Sequence, residues 1–484
     1  MTAAELAGVE TFRLVGYDFD AGRNVARFDY AFDDTHRFQE IVEFGGPPLR
    51  SRAGTGIEAA LRLVHLAAGV SYYKAAAPGR IRIETGPLRP GESAFVHDLY
   101  DKGLREFAVS NDLPVPVRLE LESVTAVEAR AATVAAGSSQ DSPAPGIAVP
   151  VGGGKDSIVL VEALKAAGPP PGLPIWLVAI NRHPAMQRTA EVAGLPLASI
   201  TRTLSPRLAE LNSAGALNGH VPITAIVSLI VVAGGYVHGY DTTLVALERS
   251  ADEATSLVGD VAVNHQWSKS TECELALRSV VRGSVSPSIE YASPLRSCGE
   301  LEIARWFADL DAYHSGFRSC NRVFRAGTSF DGWCGACAKC RFVFLVMAPF
   351  LGPDRLVAIF GHNLLDDPEQ VEGFRDLFAA GRKPYECVGE QRESLLAFLF
   401  LLELPRWRDA AVVAALRTEL EGSRPLVAGD LERGVPVLES RLATRDHVVR
   451  FIAHLLNRER KPPEPPRMIA PTEWSVPRGA GPVA

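Results

Sequence analysis

A short apolar run, Ile147 to Val151, leads straight into Gly152-Gly153-Gly154-Lys155-Asp156-Ser157, and a helical pattern from Ser157 to Ala167 follows at once. Few sequences fit a strand, three glycines and a helix in that order. The glycines let the backbone turn sharply and bring its N–H groups together at the N-terminus of the helix, where phosphate binds. Lys155 adds positive charge, Asp156 can hold Mg²⁺, and Ser157 can donate a hydroxyl to phosphate. The spacing is neither G-x-x-x-x-G-K-[ST] nor G-x-G-x-x-G. The bland alternative is a plain glycine turn between strand and helix.

Gly168-Pro169-Pro170-Pro171 stops the helix, and Leu173 to Ile180 reads as a second buried strand. Strand, loop, helix and strand make one βαβ unit of a parallel sheet. Ile223 to Val232 supplies another helix and Thr243 to Leu247 another strand, which predicts a doubly wound α/β domain.

The chain has 484 residues, too many for one core, and two or three domains are expected. Thr11 to Val15, Val25 to Tyr30 and His36 to Phe44 alternate as strands, with Asp20-Ala21-Gly22-Arg23 as a turn, and Ile57 to Ala67 has helical spacing. The expected organisation is an N-terminal α+β domain (1–130), a linker rich in Ala, Ser and Pro (131–146), the phosphate-loop domain with a metal site (147–345), a helical C-terminal region (346–460) and a Pro-rich disordered tail (461–484). No internal repeat is visible.

Fifty basic residues against 57 acidic give a net charge of −7, which removes the electrostatic reason to expect nucleic acid. Met1 to Gly16 has no basic n-region and no sustained apolar core, so no signal peptide is expected. The apolar stretch Val221 to Ala233 is shorter than the roughly 20 residues of a membrane span, and a buried helix is the better reading. A soluble, cytoplasmic protein with no membrane partner is expected. No feature assigns an oligomeric state.

Cys334-Gly335-Ala336-Cys337-Ala338-Lys339-Cys340 is C-x2-C-x2-C, and Cys320 precedes it by fourteen positions. Two tight spacers and one loop fit a tetrahedral metal, with structural Zn²⁺ the leading reading and a [4Fe–4S] cluster the runner-up. Free thiols are the bland alternative. Cys273, Cys298 and Cys387 stand outside the cluster and read as small buried residues, with Cys387 in Lys383-Pro384-Tyr385-Glu386-Cys387-Val388-Gly389-Glu390 the one set in polar company.

Three further segments are dense in functional groups: Asn218 to Thr224 with His220, Glu248 to Glu253, and Asn264 to Ser270. Glu248 falls at the carboxyl end of a strand, where doubly wound sheets bind ligands, and could hold Mg²⁺ or an ammonium group. His265 and Lys269 face one another at i, i+4 if the segment is helical. The bland reading is polar loops, with Ser250 or Ser268 as N-caps.

The order G-G-x-D-S after a strand resembles the signature loop of the PP-loop ATP pyrophosphatases, which split ATP into AMP and pyrophosphate while AMP passes to an oxygen of the substrate. That family usually begins the loop with Ser where this chain has Gly152. The Ser-Cys then C-G-x-C-x-x-C arrangement resembles the zinc site of 7-cyano-7-deazaguanine synthase, itself a PP-loop enzyme. Taken together with Gly69-Val70-Ser71-Tyr72-Tyr73-Lys74, Gly219 to Thr224, Asn264-His265-Gln266 and Lys383 to Gly389, these motifs resemble the bacterial UDP-N-acetylmuramoyl-L-alanyl-L-glutamate epimerases of peptidoglycan synthesis. The stretch Ala251 to Ser256 departs from the asparagine-containing segment expected there.

The resemblance implies an isomerase that inverts the terminal L-glutamate of UDP-MurNAc-L-Ala-L-Glu with ATP and Mg²⁺. It implies ATP binding by Gly152, Gly153, Gly154, Lys155, Asp156 and Ser157. His265, Lys269, Glu248 and Cys387 are the proton-transfer candidates, in that order. His220, Thr224, Gln266 and Ser270 are candidate substrate contacts, Cys320, Cys334, Cys337 and Cys340 the metal ligands, and the N-terminal domain a place for the UDP-sugar. The alternatives are another PP-loop enzyme, adenylating a purine-like carboxylate or a tRNA base, and a non-catalytic nucleotide-binding module.

Overall fold

The computed structural model describes residues 6, 8–34, 36–47, 54–124, 142–323, 332–429 and 443–457. Most of the expected linker (131–146) and all of the expected tail (461–484) lie outside the described residues.

The alternating N-terminal stretch forms an antiparallel meander, β1 (Thr11–Asp20), β2 (Val25–Phe32) and β3 (His36–Glu43). Asp20 sets the first turn: its carboxylate accepts from the N–H of Gly22 at 3.0 Å and of Arg23 at 3.1 Å. Helix α1 (Gly54–Ala68), β4 (Arg80–Ile83), α2 (Pro90–Asp101) and β5 (Glu120–Ser123) follow, with β4 parallel to β1 and β5 parallel to β4.

The βαβ unit is present as β6 (Ile147–Pro150), α3 (Lys155–Ala166) and β7 (Ile175–Ile180). Next come α4 (Pro184–Ala193), β8 (Leu197–Thr203), α5 (Ile223–His238) and β9 (Thr242–Leu244). A hairpin of β10 (Ser256–Val258) and β11 (Val261–Val263) precedes α6 (Thr271–Ser284), β12 (Glu290–Ala292) and α7 (Glu300–Ala308). Beyond these the described chain is helical, with α8 (Ala338–Met347), α9 (Gln391–Glu403), α10 (Ala411–Ser423) and α11 (Ala443–Leu456). No helix among the described residues is long and apolar enough to cross a membrane.

Ten strands form one mixed, mostly parallel sheet in the order β12-β9-β6-β7-β8-β3-β2-β1-β4-β5. β7 and β9 flank β6 on opposite sides, so the chain reverses its direction of winding there. In open α/β sheets the crevice beyond the carboxyl ends of such strands is where ligands bind. Strand side chains alternate between faces, and the cores divide accordingly. Ile147, Val149, Leu177 and Ala179 pack with α3, α7 and the C-terminal helices, while Ala148 and Val178 face α1, α5 and α6.

The N-terminal strands join the parallel ones through β3 and β8, which pair antiparallel. Arg202 on β8 reaches Glu40 on β3 in a two-pronged ion pair of 2.7 and 3.0 Å and also donates to Ser71 Oγ at 2.8 Å. Strand β9 is shorter than the expected Thr243 to Leu247. Val245 N–H still donates to Ala292 O at 2.9 Å, but two residues on, the partner is a side chain: Ser293 Oγ accepts from Leu247 N–H at 2.9 Å.

Candidate active site

The glycine loop leaves β6 at the switch point. Gly153 holds φ of +80°, and a Cβ there would stand 2.7 Å from Ala185 on α4. A Cβ on Gly154 would stand 2.7 Å from Ser319 Oγ. Gly153 requires glycine, whereas a Cβ on Gly154, with φ of −89°, would meet closely only the Ser319 hydroxyl. Gly152 does not require glycine, since a Cβ on it meets nothing within 4 Å. Ser157 Oγ donates back to Gly154 O at 3.1 Å and closes the first turn of α3.

The loop forms one wall of a cleft of about 350 Å³, to which Gly152, Gly154, Asp156 and Ser157 contribute, a volume suited to a small molecule. Lys155 points away. Its side chain is 1% exposed and its ammonium pairs with Glu300 at the start of α7 and with Asp156. Burial opposes the charge on Lys155, but Asp156 and Glu300 outweigh it and hold the ammonium protonated. Burial likewise opposes ionisation of Asp156, yet Lys155, and after it Lys339, keep the carboxyl below its usual range. The expected charge of Lys155 is therefore spent internally, because Glu300 lies opposite it across the α3–α7 packing. The cations that face the cleft are Lys269, Arg318 and Lys339.

Cys387 closes the far end of the same cleft. Every residue around it is tied down. Lys383 pairs with Glu253, and Tyr385 OH meets Ser256 Oγ on the hairpin at 2.7 Å. Glu386 accepts from Asn321 Nδ2 at 2.9 Å and Lys339 N–H at 3.2 Å, and Val388 O accepts from Gln266 Nε2 at 3.1 Å. The thiol lies beside His265 and Lys269, and the three groups shift one another's ionisation. Burial would push the thiol up, but the Lys269 ammonium, the His265 hydrogen bond and Lys339 together bring it down to about 6. Burial works against a charged His265 too, and its contacts with Cys387 and Glu106 raise it to about 9. At neutral pH the pair is thiolate and imidazolium.

Behind His265 stands Glu106, whose Oε2 lies 3.4 Å from His265 Nδ1 and 3.9 Å from His220 Nδ1. The two imidazoles lie with centroids 4.2 Å apart. Burial, and then the neighbouring charged His265, lower His220 to about 4, so it stays neutral. Lys74 reaches across from the N-terminal half to Asn218 and to Gly219 O, which fixes the loop carrying His220.

The four cysteines converge as expected. Their sulfurs all lie within 4.8 Å of one another, with Cys337 and Cys340 at 3.4 Å and Cys334 and Cys340 at 3.7 Å. Four sulfurs at about 2.3 Å around one tetrahedral ion stand about 3.8 Å apart, so the set could hold a single metal ion. The cluster borders the cleft directly: Ser319 and Asn321 flank Cys320, Lys339 precedes Cys340, and all three line it.

Thr224, Lys269 and Cys387 join the loop residues at the cleft. His265 and Lys269 do not share an α-helix. Trp267–Lys269 is a single 3-10 turn, and the two side chains meet through Cys387 instead. Ser268 is not an N-cap; that role falls to Ser270, whose Oγ accepts from Cys273 N–H at 3.2 Å. The Ser250 hydroxyl donates to Glu248 at 3.2 Å. Glu248 itself is buried, outside the cleft's lining. Glu106, Arg318, Asn321, Lys339 and Glu386 were not singled out as site residues by sequence. Lys339 alone carried a signal, since it sits inside the cysteine motif.

A family model described as the MurL N-terminal domain matches residues 3–294, and one described as the MurL C-terminal domain matches residues 316–428. The chain is 41% identical over 423 residues to the UDP-N-acetyl-alpha-D-muramoyl-L-alanyl-L-glutamate epimerase of Salinispora tropica, covering 86% of this chain and 90% of that one. It is 39% identical over 449 residues to the protein of the same name from Xanthomonas oryzae pv. oryzae, covering 90% and 97%. No solved structure matches.

Proposed function

This chain belongs to the MurL family, and from that premise we propose that it inverts the terminal L-glutamate of UDP-MurNAc-L-Ala-L-Glu to the D form, in the cytoplasm, by adenylating the glutamate carboxylate at the expense of ATP. One observation carries the reading: the glycine loop, Lys269 and Cys387 line a single cleft at the switch point of the sheet, with His265 beside the Cys387 thiol. A phosphate site and a proton-handling site so close together suit a carboxylate that is first activated and then deprotonated next to its carbonyl.

The chemistry requires that order. A Cα–H beside an ionised carboxylate is barely acidic, because the carbanion would gather two negative charges. Adenylation removes one charge and makes the carbonyl an electron sink, after which a base can take the proton and an acid return it to the other face. In this reading the loop N–H groups and Ser157 hold phosphate, and Asp156 holds Mg²⁺. Lys269, Arg318 and Lys339 take the cationic role first expected of Lys155. Lys269 stays charged, raised by Cys387 and Glu248 against its burial, so it serves as an electrostatic partner. His265 and Cys387 handle the Cα proton. The four cysteines hold one Zn²⁺ that fixes the loops of Ser319, Asn321 and Lys339 along the cleft.

ATP labelled at its α-phosphate tests the reading. Labelled AMP is expected with UDP-MurNAc-L-Ala-L-Glu and not with purine carboxylates or tRNA. AMP formed equally with those substrates, or none with the dipeptide nucleotide, would refute it.

A further inference from the structure

Cys387 sits in more than an acid–base cluster. Its thiol lies beside His265, and His265 Nδ1 stands 3.4 Å from the carboxylate of Glu106. A nucleophile, a base within hydrogen-bond reach and a third group orienting the base is the constellation of nucleophilic catalysis. The thiol opens onto the cleft that the phosphate loop lines, and residues 383 to 388 are clamped on both sides of it. A residue needed only to accept a proton gains little from such fixing, whereas an attacking sulfur needs a set approach to one carbonyl carbon.

We propose that Cys387 captures the activated glutamate as a covalent thioester, with His265 as its acid–base partner and Glu106 as the residue that positions His265. The proposal rests on the adenylation reading above. Sγ forms a bond to the acyl carbon, and the bond from that carbon to the AMP oxygen breaks, its electron pair leaving with AMP. After inversion at Cα, water adds to the thioester and the S–C bond breaks. The sulfur leaves as thiolate with its electron pair, and of water's two protons one is taken up by the neutral His265 and the other is released with the carboxylate. ATP is thus converted to AMP and pyrophosphate, and no oxidant or reductant is required.

A thioester serves this reaction in two ways. It resists water better than an acyl phosphate, so the activated glutamate survives long enough to invert. It also delocalises sulfur less into the carbonyl than an oxygen ester does, which keeps the Cα–H acidic. The thiolate's reactivity is consistent with its low pKa. An acylated sulfur carries no proton, so during inversion the Cα proton assigned above to His265 and Cys387 passes through His265 alone; acylation also removes the contact that does most to hold His265 charged against its burial, which moves the ring toward the neutral form that accepts a proton.

The test uses the full chain with UDP-MurNAc-L-Ala-L-Glu carrying radiolabelled glutamate, ATP and Mg²⁺, quenched in acid after milliseconds to seconds. The expected result is label bound to the protein, released by neutral hydroxylamine as a glutamyl hydroxamate and mapped by mass spectrometry to Cys387. Cys387→Ser, which differs by one atom, should lose the hydroxylamine-labile adduct while still releasing pyrophosphate. Glu106→Gln should slow adduct formation at least tenfold and move the pH midpoint of Cys387 alkylation upward, a change that a merely structural role would not produce. The groups facing that thiol and imidazole are Lys269, Lys339, Glu106 and His220, and all but Glu106 stay intact in the variant. AMP formation with no protein-bound label at any time overturns the thioester and leaves adenylation standing. Absence of both AMP and pyrophosphate removes adenylation, and the thioester with it, because nothing then activates the carboxylate.

Discussion

Replacing Lys269 with Met removes the charge that does most to hold Cys387 as a thiolate, while keeping a side chain of similar length and volume. A thiol at about 6 instead of its ordinary 9.0 has its ionisation equilibrium displaced about a thousandfold, or about 4 kcal/mol in favour of the anion. At pH 7 roughly nine-tenths of such thiols are ionised, against about one-hundredth at the ordinary value. Burial, which opposes ionisation, remains in the variant with only His265 and Lys339 against it, so its thiol should move up toward the ordinary range. The assay is the rate of Cys387 alkylation by iodoacetamide from pH 5 to 10, read by peptide mass spectrometry. The midpoint is compared and not the plateau, because a more basic thiolate is also intrinsically more nucleophilic. Cys298, pushed up by burial to about 12, titrates well apart and does not confuse the curve. A midpoint near 6 in the native protein and above about 8 in Lys269→Met is expected. Coincident curves, or a native midpoint near 9, would refute the electrostatic account of Cys387.

Other outcomes follow from the same geometry. Gly152→Ser should be tolerated, since nothing lies within 4 Å of its Cβ, and its hydroxyl should lower the KM for ATP by up to about fivefold, the worth of about 1 kcal/mol from one hydrogen bond; a raised KM would count against phosphate at this loop. Glu300→Gln removes one of the two counter-charges of the Lys155 ammonium and leaves Asp156, so it should reduce stability by about 1–3 kcal/mol, seen as a lower urea midpoint with an unchanged slope; an unchanged midpoint would contradict the pairing. Metal analysis should find one zinc per chain, and Cys337→Ser should lose it with a fall in Tm; iron with visible absorption would point to a cluster instead.

Much of this architecture could be read locally. The strand, glycines and helix around Gly153 are fixed by neighbours within a dozen positions, as is the C-x2-C-x2-C turn, and both formed as expected. The departures arise where a distant element intervenes. Nothing near Lys155 indicates that Glu300 will face it, 145 positions later, and turn its charge inward. Nothing in Arg105-Glu106-Phe107 indicates that its carboxylate will stand behind His265, which 159 positions of chain separate from it. His265 and Lys269 were paired on a helix that did not form, yet the folding of residues 383 to 388 brought them together around Cys387. The four proton-transfer candidates ranked Cys387 last, yet with Lys269 it is one of the two that line the cleft.

The central claim is tested most directly by the configuration of the product. UDP-MurNAc-L-Ala-L-Glu is incubated with the protein, ATP and Mg²⁺, the glutamate is released by acid hydrolysis, and its chirality is determined beside the AMP formed. The account predicts D-glutamate that appears only with ATP and with at least one AMP for each inversion. Glutamate that remains wholly L while AMP accumulates, or D-glutamate formed equally without ATP, would contradict it.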